Sequence, residues 1–428
     1  MIILTKSITM KIKKIQAREI LSSISVPTIE VKVTLDNGAV GKASAPFGAS
    51  AGEREAAVIV DGDKKRYGGH GALKVVKIVT QKIAPKLVGQ TADKQRQLDE
   101  IMIKLDGTEG KTNLGGNAMI ATSLACARAA AAAYKMPLYA YIRKTFKIKD
   151  KKYILPRPMM VVVEGGKHAD NSTDFQEYLF SAVNAPSVKE AVRWDVEAYY
   201  ALKDILHQKG YSTNVGNEGA FAPEGIESNE EPLKMMVAAI REAGYKPGKQ
   251  IAISLDPAAS ELYQNGQYIL AHEGKKYSPA KMIDYLVGWT KKYPILSLED
   301  GLGENDWENW PILKSRLGKI PLIGDDLTVT NAKWLKKALA MKAISGILIK
   351  QNQIGTLTET IDTIQLARQN GLMHVISHRG GGETGDVALV DIAVATNAQF
   401  IKVGPTRGER TEKYNYLMEI EDTLAGKY

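Results

Sequence analysis

The sequence predicts an α/β chain, in which a small α+β unit precedes a longer segment built as a parallel sheet or barrel. Three observations lead there. An early polar–apolar alternation with a hairpin signal gives way to helical patterns. Beyond residue 150, short apolar runs alternate with amphipathic stretches. Those runs end on ionisable residues at a nearly regular spacing.

Taken in order, Thr28 to Leu35 alternates polar and apolar residues as a half-buried strand does. Asp36-Asn37-Gly38 follows, and Asn-Gly is a strong two-residue hairpin signal because both positions tolerate positive φ. Val40 to Ala45 can then return as the partner strand. After Ser50 the pattern turns helical, with an alanine-rich stretch from Asn117 to Lys135 whose small residues suit close packing. Lys147 to Pro158 reads as a connector, a charge run closed by Pro156 and Pro158. The apolar runs beyond it are Ile251 to Leu255, Ile295 to Leu298, Pro321 to Ile323, Gly346 to Ile349, Met373 to Ile376 and Gln399 to Ile401. They are too short for helices, and amphipathic stretches such as Ala332 to Met341 and Thr358 to Gln369 separate them.

Composition narrows the class. The chain has 428 residues, 44% apolar and 25% charged, the balance of a folded globular protein. It carries no run near the ~20 apolar residues of a membrane span. It also lacks a secretory leader pattern, so a cytosolic location is expected. The single Cys126 excludes an internal disulfide and a multi-cysteine zinc site. A net charge of +9 suits a polyanionic ligand or a lysine-rich solvated surface. The basic stretches lack aromatic interleaving, so nucleic acid is not the expected partner.

The ends of the apolar runs carry the chemistry. They are Asp256, Glu299, Asp325, Lys350, His378 and Lys402, spaced 43, 26, 25, 28 and 24 residues apart. In a (β/α)₈ barrel all such ends open into one mouth. Asp256, Glu299 and Asp325 would form an all-oxygen site for a hard divalent cation, Mg²⁺ rather than zinc. The alternative for the same carboxylates is a salt-bridged network with the two lysines. Beside a bound dication Lys350 would be disfavoured as an ammonium, which makes it a candidate general base. Lys402 is a candidate clamp for a substrate carboxylate. A metal beside a lysine base suits proton abstraction α to a carboxylate.

Two further carboxylates stand out, Glu177 in the strand-like Phe175 to Phe180 and Glu218 in the turn Val215 to Phe221. A shared buried pair keeps one proton near neutral pH and can act as a general acid. Ser377-His378-Arg379-Gly380-Gly381-Gly382-Glu383 sets a guanidinium beside flexible N–H groups, which suits phosphate. Pro46 to Gly52 has the look of a mobile lid. His168, after two glycines, reads equally as a site residue or a structural one.

These motifs resemble the enolase family, the 2-phosphoglycerate dehydratases of glycolysis. Ile347 to Thr356, Ser297-Leu298-Glu299-Asp300, Gly324 to Asn331 and Ser377-His378-Arg379 carry the resemblance, which runs in the family's order from about Lys11 to the C-terminus. It implies an enolase-like modified (β/α)₈ TIM barrel with an N-terminal α+β domain. The expected organisation is an unmatched extension over 1–9, an α+β domain with a lid loop over 10–150, and a catalytic barrel over 151–428. The resemblance further implies Lys350 as the base at C2, Glu218 as the acid at the C3 hydroxyl and Glu177 as its support. Asp256, Glu299 and Asp325 would hold a first Mg²⁺, and Ser50 would join a second one bound with the substrate. Arg379 would clamp the phosphate, with Gly380 supplying backbone N–H in place of the family's serine. Lys402 would face the carboxylate, and His168 and His378 would line the pocket. The expected partners are a small phosphorylated hydroxy acid and further copies of the chain, as a dimer or higher.

The departures from the family pattern are local. Glu164 stands for Asn before the glycines preceding His168, and the acid turn has Asn217 for Asp and Ala220 for Gly. The lid carries Phe47 and Ala51, the phosphate loop gains a glycine, and Ser22 to Pro27 replaces Asp-Ser-Arg-Gly-Asn-Pro. These changes leave open a related lyase acting on another hydroxy acid, or a non-catalytic binding protein with the same fold.

Overall fold

The computed structural model describes residues 10–48 and 52–427. The chain forms two compact units, one of Met1–Phe47, Glu55–Tyr153 and Gln351–Asp362, the other of Gly48–Arg54, Ile154–Lys350 and Thr363–Tyr428.

The first unit holds a three-stranded antiparallel sheet of β1 (Ile12–Leu21), β2 (Pro27–Leu35) and β3 (Val40–Ser44). The predicted alternation is plain in β2, where Ile29, Val31, Val33 and Leu35 are fully buried on one face. The β2–β3 hairpin forms in register from Thr34↔Val40 to Glu30↔Ser44. Its turn differs from the two-residue form suggested by Asn-Gly. Of the pair only Gly38 takes positive φ, at 88°, and Leu35 N–H bonds the carbonyl of Ala39 at 2.8 Å. The Asn37 side chain explains this, because its Oδ1 accepts the Ala39 N–H at 3.0 Å and widens the loop. The alanine-rich stretch is the helix Gly116–Ala133, buried along most of its length. It lies close on β3: a Cβ at Gly41 would meet the Arg128 carbonyl carbon at 2.9 Å. The strand β1, absent from the sequence reading, pairs with β2 along its whole length.

The second unit contains a closed barrel of β4 (Arg157–Glu164), β5 (Glu177–Ala182), β6 (Ile251–Asp256), β10 (Ile295–Glu299), β11 (Leu322–Gly324), β12 (Gly346–Ile349), β13 (Met373–Ser377) and β14 (Phe400–Val403). Between β6 and β10 a small antiparallel sheet is inserted, formed by β7 (Tyr263–Gln264), β8 (Gln267–Leu270) and β9 (Lys275–Tyr277). The short runs of the sequence are barrel strands because they are apolar on both faces, as β6 and β12 are, buried at every position. Met159, Val161, Leu179, Ala220, Ile323, Leu348, Val375 and Phe400 form a buried apolar cluster.

One strand breaks the parallel pattern. β5 runs antiparallel to both β4 and β6, whereas the other neighbours are parallel. The connection from β4 to β5 holds only the short helical turn Gly166–His168, too little for the crossover helix that a parallel return needs. Among the described residues, no helix is long and apolar enough to cross a membrane.

Candidate active site

The reversed strand decides which end of β5 faces the barrel mouth. Because β5 is antiparallel, its first residue rather than its last stands level with the strand ends, and the register pairs Glu164 with Glu177 and Glu177 with Asp256. Glu299 closes β10, Asp325 follows β11, Lys350 follows β12 and His378 follows β13. Lys402 lies within β14, opposite Ser377. All six predicted strand-end residues lie 85% or more buried by side chain, and Asp256, Asp325, Lys350, His378 and Lys402 line one cavity with His168, Glu177, Glu218, Arg379 and Gly380.

Lys402 is the centre of charge. Its Nζ lies 2.6 Å from Glu177 Oε2, 2.8 Å from Glu299 Oε1 and 3.0 Å from Asp256 Oδ2. Burial opposes its ammonium, yet Asp256, Glu177 and Glu299 outweigh burial and hold it well above the usual lysine range. One ammonium cannot neutralise the charge of three carboxylates. Burial, reinforced by Glu218, pushes Glu177 well up, and burial with Asp256 does the same to Glu299. Asp256 and Glu299 therefore meet on Lys402, and Asp325 pairs instead with Lys350. Burial works against the Lys350 ammonium too, but Asp325 overrides it and raises Lys350 above its ordinary value. This is the salt-bridged arrangement that the sequence left as an alternative, and the lowered Lys350 was tied to a bound dication. The backbone of Lys350 is held in turn, because its N–H donates to Thr330 Oγ1 at 2.9 Å.

The oxygens around Asp325 also form a tighter set than the predicted three. One ligand atom each from Asp300, Asp325 and Asp326 lies within 4.8 Å of the others, a group able to hold a cation. Asp300 is pinned by N–H donation from Asp325 at 2.9 Å and Asp326 at 2.8 Å, and its backbone sits at φ +37°. Such a conformation is rare for a non-glycine residue and gathers at functional sites. Sequence reasoning missed Asp300 and Asp326 as site residues. Each directly follows a predicted ligand, Glu299 or Asp325, and that adjacency was the available signal.

The second cluster surrounds Glu218, which is wholly buried. Its Oε1 lies 3.3 Å from His378 Nε2 and 3.5 Å from His168 Nδ1, and His168 Nδ1 is also 3.5 Å from Glu177 Oε1. His168 thus stands between the two predicted acid carboxyls. Burial lowers its pKa to about 4 and lowers His378 as well. For Glu218 burial pushes upward, but His168 and His378 prevail and hold it below the usual range. Burial and Glu218 push the other two carboxyls upward, Glu177 well above its usual range and Glu164 up to about 8.

The loop after β13 closes on the same cavity. Glu383 fastens it, accepting the N–H of Arg379 and of Thr384 at 2.9 Å each. Gly380 is there by necessity: a Cβ would stand 2.6 Å from His168 Nε2. A Cβ at Gly48 would likewise collide with the Arg379 guanidinium. Ser50 lies outside the described residues. Arg54 bonds Glu304 Oε2 at 3.1 Å and lies over Trp334 at 4.5 Å.

A modified α/β barrel with buried lysines, carboxylates and histidines converging at its mouth defines a class: barrel proteins able to hold a cation and move protons. Residues 152–428 match the family model for the enolase C-terminal TIM barrel domain, and residues 12–142 match the enolase N-terminal domain. The chain belongs to the enolase family.

Proposed function

We propose that this chain is a lyase that dehydrates 2-phosphoglycerate to phosphoenolpyruvate with Mg²⁺. The observation that carries the reading is that a lysine, a carboxyl pair, an arginine and an acidic set line one cavity. Lys350 Nζ takes the proton from C2 after its ammonium has parted from Asp325 and released one proton to solvent, so that it stands as a free amine. Glu218 gives a proton to the C3 hydroxyl, which departs as water. Glu177 holds that proton in reserve, and His168 is placed to pass it across. Arg379 binds the phosphate and Lys402 sets positive charge toward the carboxylate.

Asp256, Glu299 and Asp325, with Asp300 and Asp326 beside them, are the residues that would hold Mg²⁺. They fit it, being all oxygen donors, and their oxygens already gather around cationic nitrogens of Lys402 and Lys350. When bound, Mg²⁺ supplies positive charge against the negative charge that builds on the substrate carboxylate. A second Mg²⁺ joined by Ser50 remains an expectation from the family.

The test is ultraviolet absorbance of the enol product after 2-phosphoglycerate is added, first with Mg²⁺ and then with a chelator. Product should appear only with Mg²⁺. Lys350→Ala should abolish C2 proton exchange with solvent, whereas Glu218→Gln should leave exchange and slow dehydration by ~10²–10⁴-fold. Exchange persisting in Lys350→Ala would remove Lys350 as the base. A second reading, a lyase for another phosphorylated or carboxylated hydroxy acid, draws on the closeness of Gly380 to His168. It is favoured if 2-phosphoglycerate is inert and another hydroxy acid is turned over.

A further inference from the structure

We infer that Glu164 is a positioning residue that sets the place of Glu218 by holding the turn on which Glu218 stands. The effect on rate rests on the dehydration reading above; the structural part does not.

Glu164 ends β4 and is fully buried. Its carboxyl accepts the Glu218 N–H at 3.0 and 3.2 Å and the Ala220 N–H at 3.0 Å. The other N–H groups of the turn are served by the chain itself. Asn217 N–H bonds the His168 carbonyl at 3.1 Å, Gly219 N–H that of Gly216 at 3.2 Å and Gly216 N–H that of Ala220 at 3.1 Å. The two N–H groups that flank Gly219 thus depend on Glu164, and buried backbone donors left unpaired are costly.

The turn is shaped around this side chain. A Cβ at Gly216 would lie 2.5 Å from Glu164 Cδ and 2.8 Å from Cγ, so glycine makes the room that Glu164 fills. From the other side, a Cβ at Gly404 would run into the Glu218 carbonyl and stand 2.7 Å from Arg410 Cδ. Arg410 is fully buried and its Nε and Nη2 have no hydrogen-bond partner among the described residues. Its Nη1 meets Glu409, and its charge works against the upward push on Glu164 and adds to the lowering of Glu218.

The side chain of Glu218 is held loosely by comparison. Its oxygens meet His168 and His378 only at 3.5 and 3.3 Å, long for hydrogen bonds. Its position comes from the backbone, and the backbone is held by Glu164. Two departures from the family pattern, Glu164 and Ala220, form this contact, and a third, Asn217, directly precedes Glu218 in the turn.

The experiment uses the full chain with Mg²⁺ and 2-phosphoglycerate, and compares wild type with Glu164→Ala, Glu164→Gln and Gly216→Ala. Three quantities are read: dehydration rate, C2 proton exchange, and amide deuterium uptake of the 215–221 segment. Glu164→Ala should slow dehydration by about 10²-fold, the scale of an ångström-level misplacement, with C2 exchange within about 2-fold of wild type. Deuterium uptake at Glu218 and Ala220 should rise. Glu164→Gln keeps an oxygen acceptor in the same place and should restore both readouts. Gly216→Ala keeps Glu164 but displaces it, and should reproduce the Glu164→Ala pattern if that variant does not fold. Equal loss of exchange and dehydration in folded Glu164→Ala, or no loss of either, overturns the inference. If wild type does not dehydrate 2-phosphoglycerate, the reaction reading has failed and deuterium uptake alone decides. Unchanged uptake in Glu164→Ala would then overturn the positioning role.

Discussion

Asp99 in the first unit and Glu218 in the barrel are equally hidden from water, and the protein treats them oppositely. Asp99 accepts hydrogen bonds from Ser123 Oγ at 2.6 Å, Gln95 Nε2 at 3.1 Å and Thr358 N–H at 3.0 Å. Burial still pushes it up to about 6 against those donors, but both its oxygens are occupied. Glu218 has two buried histidines at long range and, among the described residues, no close donor to its oxygens. A buried acid satisfied by neutral donors holds structure together. A buried acid left without close donors beside two histidines fits the proposed place at a ligand site.

The largest effect on this contrast should come from Lys402→Met. It leaves Glu177, Asp256 and Glu299 without their shared ammonium and should destabilise the fold by ~3–5 kcal/mol, read by urea denaturation at pH 7. Added Mg²⁺ should recover part of that loss. A cost under ~1 kcal/mol would mean that the three carboxyls are already mostly neutral.

Asp99→Asn should cost less. At pH 5, where Asp99 is largely protonated, the variant leaves one donor without an acceptor, a loss of ~1–3 kcal/mol. The raised pKa gives the sign of the pH dependence. Between 3.8 and about 6 the folded protein keeps a proton that the unfolded chain releases, so this residue makes stability fall as pH rises. Asp99→Asn should flatten that stretch, and its cost should shrink above pH 6. Turnover below the melting temperature should be unchanged; a large fall in kcat would join Asp99 to the catalytic machinery. The smallest effect is expected at Arg54, where Arg54→Lys keeps a cation for Glu304 but removes the stacked guanidinium from Trp334. A stability loss of about 1 kcal/mol is expected, read by the same denaturation.

Much of the site was legible as a rule about strand ends. Asp256, Glu299, Asp325, Lys350, His378 and Lys402 each mark where an apolar run meets polar chain, and a barrel brings such points together. The same rule applied to Met159 to Val163 would have found Glu164, hidden because β4 begins at Arg157, inside the stretch read as a connector. The strand β1 was missed for another reason. Its polar exposed face and short apolar positions blur the alternation that marked β2.

Local pattern and residue type determined the hairpin, the alanine-rich helix, the barrel strands and the residues at their ends, because hydrophobic periodicity and the cost of burying charge act over a few residues. Only the tertiary structure decided the reversal of β5, which sets Glu177 beside Asp256. It alone decided that Lys402 serves three carboxylates while Lys350 serves Asp325, and that Glu164 rather than a side-chain donor holds the Glu218 turn. Those pairings join residues as far apart in the chain as Glu177 and Lys402, and which charge meets which depends on strand direction and register that no local window contains.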